Sequence, residues 1–300
     1  MKKILKGLYS ATFAVALLLT TATGCSDYLD INTDPNNPLD SRLDQILPTA
    51  QTVIFEALGN GSGGMSDLTS QYVHQMVQRT NTNFYLFIGN EFSISSAWPN
   101  LYAGALMDLN VIISKANERQ SWHYLGIAQI LKAYAYGEMI DLWGKVAYFD
   151  FGQGTDNPFP GFDDGAAVYP ELLAMLEESV VNLAKEAGET PGQDDLIYGG
   201  DLDMWRKLAN SLRLKLYNNV RLTSLYDAAK VETIISGNDV ISATDEGFRL
   251  LYGTSNNPEN RHPLFVQDYV QNAPNYIDPY FYLIMKGDES LPVLNAVLSG

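Results

Sequence analysis

In a chain of 300 residues, 35 acids against 19 Lys and Arg leave a formal net charge of −16. Phosphate contacts need cations, so this balance excludes nucleic acid as a partner and opposes adhesion to anionic headgroups. A single cysteine rules out an internal disulfide, so stability must come from burial, and a chain this long can bury about three-quarters of its surface. Charged residues make up only 18%, whereas Tyr (18), Phe (12) and Trp (4) are plentiful, which suits a folded protein that makes contacts through aromatic and amide groups.

The chain opens with a positive segment (Lys2, Lys3, Lys6), then the apolar run Ala11 to Leu19, then the small or polar residues Thr20 to Gly24. That is the layout of a cleavable secretion signal, and the run falls short of the roughly 20 apolar residues that span a bilayer. The lone cysteine, Cys25, follows directly, as in the bacterial lipobox, where the thiol takes a diacylglyceryl thioether and becomes the acylated N-terminus. Ala22 stands where leucine is usual. Residues 1–24 are therefore expected to be a signal peptide, and its removal takes the net charge to −19. Membrane attachment would then come from lipid alone, since two or more acyl chains anchor stably. Residues 25–40 read as a polar stalk. Its Asp30-x-Asn32-x-Asp34 spacing is not a calcium loop, because Pro35 replaces the turn glycine and Ser41 the bidentate glutamate.

Helical periodicity dominates from there. Residues 43–58 and 66–79 are predicted as two helices split by a glycine cluster at 59–64, which lacks the Lys-Ser/Thr of a phosphate loop. Leu101, Ala105, Leu109, Ile112 and Ala116 form one stripe, and Leu125, Ala128, Leu131, Ala135, Met139 and Leu142 the next. A turn at Asn117 to Ser121 makes these two an antiparallel hairpin. Further stripes run from Val168 to Leu183 and from Trp205 to Val220, with a short helix at Asp227 to Ile235. The predicted fold is mostly α: tetratricopeptide-like hairpins forming a superhelical scaffold. After residue 237, Pro258, Pro263, Pro274 and Pro279 break the pattern into long irregular loops, the usual carriers of binding residues on a rigid frame. The expected organisation is a helical-repeat region over 41–236 and a loop-rich region over 237–300.

Four stretches carry a family resemblance, and they occur in the family's order. The stalk Cys25-Ser26-Asp27-Tyr28-Leu29-Asp30-Ile31-Asn32-Thr33-Asp34-Pro35-Asn36 resembles the mature start of SusD/RagB-like outer-membrane lipoproteins of the Bacteroidetes. Trp98-Pro99-Asn100-Leu101-Tyr102 opens a similar helix. Asp141-Leu142-Trp143-Gly144-Lys145-Val146-Ala147-Tyr148 is similar to the family's D-x-W-G-D-V-P-Y turn, with Lys145 for the usual acid and Ala147 for the usual proline. Trp205 to Lys215 resembles a helix of one large subgroup. Asp278-Pro279-Tyr280 looks like a degenerate D-P-R segment, and because members are longer, the resemblance implies a missing C-terminal portion. It further implies a cell-surface lipoprotein of the outer membrane. Such a protein captures oligosaccharides, or in some cases peptides, and delivers them to a SusC-like TonB-dependent transporter, without catalysis or cofactor.

Sugar binding needs flat apolar faces beside planar donors and acceptors. Residues 80–92 supply both, with Phe84, Tyr85 and Phe87 among Asn81, Asn83 and Asn90, although core packing competes as a reading. Tyr269, Asn272, Asn275, Tyr276 and Tyr280 form a second candidate set. Trp98, Trp143 and Trp205 belong to helix and turn motifs and are expected to pack, while Trp122 is open. Chemistry is poorly supplied. His74, His123 and His262 each stand alone with no ligand-spaced partner, and the acid pairs Asp163-Asp164 and Glu177-Glu178 read as solvated faces. Arg206, Lys207, Arg213, Lys215 and Arg221 gather on one helix, where pairing with neighbouring acids is the preferred reading over a docking face.

Overall fold

A computed structural model describes residues 42–60, 64–79, 96–272 and 275–287. Helix α1 (Leu43–Ile54) continues into a π-helical segment, Phe55–Asn60, and faces its apolar stripe inward through Leu43, Leu47, Ala50 and Ile54. Helix α2 (Met65–Tyr72) is shorter than the predicted 66–79. His74 takes a left-handed φ of 57°, which stops the helix, and the next residues form strand β1 (Met76–Gln78). That strand finds its antiparallel partner in β4 (Asn275–Ile277), with Val77 opposite Tyr276. No local periodicity could reveal a partner about two hundred residues away.

The run opened by Trp98 is helical throughout, from Ala97–Pro99 through the π-helical Asn100–Leu106 into α3 (Met107–Arg119). Gln120 in the left-handed region ends it, and the Ser121 amide returns to the Ala116 carbonyl at 2.8 Å, closing the turn into α4 (Trp122–Trp143) as expected. Helix α4 is the centre of the molecule, buried on nearly every side, with Leu125, Ile127, Ile130, Leu131, Tyr136 and Met139 all in the core. Its neighbours are α3, α5 (Gly165–Leu183) and α6 (Leu202–Asn219). At the crossing with α5 a Cβ on Gly126 would sit 2.9 Å from Leu183 Cγ and 3.0 Å from the Ser179 carbonyl, so only glycine lets the two backbones approach this closely.

Gly144, at φ +75°, ends α4 and leads into β2 (Lys145–Val146), which pairs with β3 (Asp163–Asp164) and sets Lys145 opposite Asp164. The acid usual at position 145 in the resembling family would here face another acid across the ladder; lysine faces its opposite charge. Ala147 also has a role that proline could not fill. Its amide donates to Tyr102 Oη at 2.8 Å, and its carbonyl accepts from Tyr136 Oη at 3.0 Å. Helices α6 and α7 (Ala228–Gly237) are capped by Asp201 and Asp227, each accepting two backbone amides. The fold is thus a mostly α, tetratricopeptide-like stack of helical hairpins. Among the described residues, no helix is long and apolar enough to cross a membrane.

The connection between α5 and α6 winds around one buried carboxylate. Asp195 accepts from Gln51 Nε2 (2.8 Å), Trp205 Nε1 (2.7 Å), the Gly200 amide (2.9 Å) and the Ile197 amide (3.1 Å). Gln51 Oε1 in turn accepts the Leu196 amide. One side chain thereby joins α1, the loop and α6.

Candidate functional site

The described part of the second aromatic set lies in the C-terminal loops. From residue 251 the chain turns back on itself, with the Gly253 amide on the Asn260 carbonyl (2.8 Å) and the Ser255 amide on Asn260 Oδ1 (2.8 Å). His262 then accepts the Leu264 amide on Nδ1, and Pro263 begins a short helical stretch that runs through Phe265 and continues as Val266–Asn272. Phe265 and Tyr269, four residues apart on it, stack with ring centroids 5.1 Å apart and planes inclined by 24°. The Arg261 guanidinium lies 5.5 Å from the Phe265 centroid, held there by Glu259 through Nε (2.8 Å) and Nη2 (2.6 Å). Hydrogen bonding from Arg261 holds the Glu259 carboxyl down at about 2. Tyr269 is 80% exposed, so the pair offers a broad ring face to solvent.

Tyr276 follows on β4 with its ring 54% exposed, and Ile277, Tyr280 and Tyr282 are exposed around it. Asn275 serves the frame instead. It is buried and its Nδ2 donates to Asp67 Oδ1 of α2 at 2.6 Å. Asp278 is buried too and caps α8 (Pro279–Met285) by accepting the Tyr280 amide at 2.7 Å, which explains the Asp-Pro of that motif. Cys25, Phe84, Tyr85 and Asn90 lie outside the described residues. So Tyr269 and Tyr276 are both exposed, and Phe265 and Arg261 join Tyr269. The Arg261-Phe265-Tyr269 spacing at i, i+4, i+8 was the signal that could have found them.

The tryptophans belong to the frame. Trp98 meets Trp143 edge-to-face and Tyr102 at a tilt, both at 4.9 Å between centroids, and Tyr102 meets Phe151 edge-to-face at the same distance. Trp205 is fully buried. Trp122 carries Lys185 Nζ 4.1 Å above its ring. The basic residues of α6 are taken up by acids: Arg206 by Asp203 and Asp239, Lys207 by Glu246, Arg213 by Glu177 and Lys215 by Glu138. Arg221 bonds the Asn218 carbonyl.

Three of the four paired acids are engaged as well, and Glu178 is exposed as expected of a solvated face. Asp163 accepts the Tyr148 and Phe149 amides, Asp164 caps α5, and Glu177 is shared by Arg213 and Lys230. The three histidines sit on separate elements: His74 lies 3.9 Å from Asp278, His123 Nε2 is 2.8 Å from the Lys185 carbonyl, and His262 is the cap above. Among the described residues, no group of three or more His, Cys, Asp or Glu could hold a metal ion.

Stacked helical hairpins whose late loops display ringed side chains define a tetratricopeptide-like scaffold. The chain belongs to the SusD-like family, whose model, described as starch-binding and associating with the outer membrane, matches residues 35–278. Solved structures similar to it include a SusD/RagB family protein of Bacteroides thetaiotaomicron (20% identity, TM-score 0.70, covering 83% of this chain and 53% of that one). A SusD homolog from Bacteroides fragilis is similar at 19% identity and TM-score 0.63, covering 83% of this chain and 51% of that one. A chitin-binding protein matches at 23% identity and TM-score 0.62, covering 81% of this chain and 54% of that one. At these identities the likeness is one of fold, and the chain spans about half the length of these structures. No curated protein matches it in sequence.

Proposed function

We propose that this protein is a cell-surface, glycan-binding lipoprotein that captures oligosaccharides and delivers them to a SusC-like TonB-dependent transporter in the outer membrane. The observation that carries the reading is the exposed Phe265–Tyr269 stack, braced by Arg261 and followed by Tyr276. An apolar pyranose face packs on such rings, while guanidinium, phenol and amide groups satisfy its hydroxyls. The family description and the neighbouring chitin-binding protein support a sugar over a peptide as occupant. Phe84, Tyr85 and Asn90 would extend the platform. Cys25 would carry the lipid after removal of residues 1–24, with 25–40 as stalk, 41–236 as the helical-repeat frame and 237–300 as the loop-rich binding region. Binding without catalysis is favoured because Asp163, Asp164 and Glu177 are occupied by backbone amides, a cap and cations.

Three measurements test this. Affinity purification of the tagged lipoprotein from solubilised outer membranes should co-elute a TonB-dependent barrel in stoichiometric amount; elution alone would refute the delivery role. Glycan arrays should give binding that Tyr269→Ala weakens about fivefold, since stacking on one aromatic ring is worth on the order of 1 kcal/mol. Equal binding by the variant would remove the platform from the account. Cys25→Ala should move the protein from the membrane to the soluble fraction.

A further inference from the structure

A cavity of about 720 Å³ opens between α5, the end of α6 and the start of α7, far along the chain from the aromatic loops. Its volume lies within the range of small-molecule sites. Leu173 of α5 and Leu225 form an apolar wall, and the Tyr226 ring, 39% exposed, stands at the rim. The rim is built: the Thr223 amide donates to the Val220 carbonyl at 2.8 Å, and Thr223 Oγ1 accepts the Leu225 amide at 3.2 Å. Facing the wall, Glu177 receives Lys230 Nζ at 2.9 Å and, from behind the lining, Arg213 Nη2 at 2.8 Å; the Asp227 carboxylate on the same lining brings the sum of these four charges to zero. Those bonds, that from Lys230 above all, hold the Glu177 carboxyl below its ordinary range. Tyr217 contributes a buried ring whose hydroxyl has no hydrogen-bond partner among the described residues, and its burial pushes that phenol upward, keeping it a neutral donor. Asp227 is occupied in capping α7.

These features select a class of ligand. Glu177 and Asp227 together balance Arg213 and Lys230, so a charged molecule finds no uncompensated partner, and a purely apolar one would cover the Tyr217 hydroxyl without bonding it. A neutral, hydroxyl-rich molecule with one apolar face satisfies both walls. We propose that this cavity is a second saccharide site, taking one or two pyranose units, with Tyr217 and the Glu177–Lys230 pair bonding hydroxyls and Tyr226 covering the apolar face. The inference depends on the glycan-binding reading only for its choice of probes.

The test is a methyl-resolved NMR titration of the full chain with maltotriose and with N,N′-diacetylchitobiose. Leu173 and Leu225 methyls report the cavity, and Ile277 and Val270 methyls report the aromatic loops. Saturable shifts at Leu173 and Leu225, weakened about fivefold to tenfold by Tyr217→Phe, support the site. Tyr226→Ala should weaken them further. The proposal is overturned if those two methyls stay still at about 10 mM sugar, where a millimolar site would be mostly filled, or if their shifts survive both substitutions unchanged. Movement of Ile277 and Val270 alone would uphold the platform and reject the cavity; movement of Leu173 and Leu225 alone would do the reverse.

Discussion

Asp195→Ala should unfold this protein more readily than any other single truncation of a charged side chain described above. Asp195 is 2% exposed and, among the described residues, pairs with no cation; four donors hold its carboxylate, two of them on the fully buried side chains Gln51 and Trp205. Deleting it leaves Gln51 Nε2 and Trp205 Nε1 without an acceptor in the core. A buried donor left unpaired costs about 1–3 kcal/mol, so the pair costs about 2–6 kcal/mol. The Ile197 and Gly200 amides lie in a part-buried loop that water can reach, and they add less. Removing a buried charge gives back some desolvation energy, which places the expected loss near the middle of that range. Against a total stability of about 5–15 kcal/mol this is a large fraction. Urea unfolding followed by tryptophan fluorescence and near-ultraviolet dichroism measures it. Asp195→Asn should recover only part of the loss, because its amide presents donors to one of the existing donors. A loss below about 1 kcal/mol for the alanine variant, with an unchanged dependence on urea, would refute the view that this carboxylate organises the loop.

Three smaller outcomes follow from the same kind of reasoning. Gly126→Ala should destabilise by about 1–3 kcal/mol despite a helix-propensity gain of about 1, because the methyl meets the Ser179 backbone and Leu183 Cγ; a raised melting temperature would show that α4 and α5 can part freely. Tyr102→Phe strands the buried Ala147 amide and should cost about 1–3 kcal/mol by chemical denaturation, with no loss meaning that water or another acceptor takes over. The Glu246 carboxyl, held at about 2 chiefly by its bond from Lys207, contributes stability that is present above its ordinary range and is lost as pH falls toward 2; in Lys207→Ala its titration, read by carboxyl NMR, should move up toward that ordinary range. An unmoved titration would assign the depression to the Ser242 and Ala243 amides instead.

Much of the frame was legible because helices bury a stripe, and a stripe repeats within a few residues. The apolar positions from Leu101 to Ala116, Leu125 to Leu142, Val168 to Leu183 and Trp205 to Leu216 fall inside helices, Val220 caps the last of them, and the turn at Asn117 to Ser121 closes as the spacing implied. The acids immediately before α6 and α7, Asp201 and Asp227, are caps, which is also a local property. The pairing of α6 cations with acids followed from an excess of acids, since each cation had many partners within reach.

What the sequence could not contain was pairing between distant segments. Residues 73–79 carry helical spacing, yet they turn at His74 and form a ladder with Asn275–Ile277, because the hydrogen bonds of a strand are satisfied by whichever segment the fold delivers. Asp195 carries no local mark of its role, since the Gln51 and Trp205 groups that make it a keystone come from helices that meet only when packed. The same holds for the fate of the aromatics. Composition and loop content identified Tyr269 and Tyr276 as candidates by type, but their exposure, the loss of Asn275 to the frame and the recruitment of Phe265 and Arg261 were decided by tertiary structure. Local spacing fixes which face of a helix is apolar; only the assembled core determines which rings remain for a ligand.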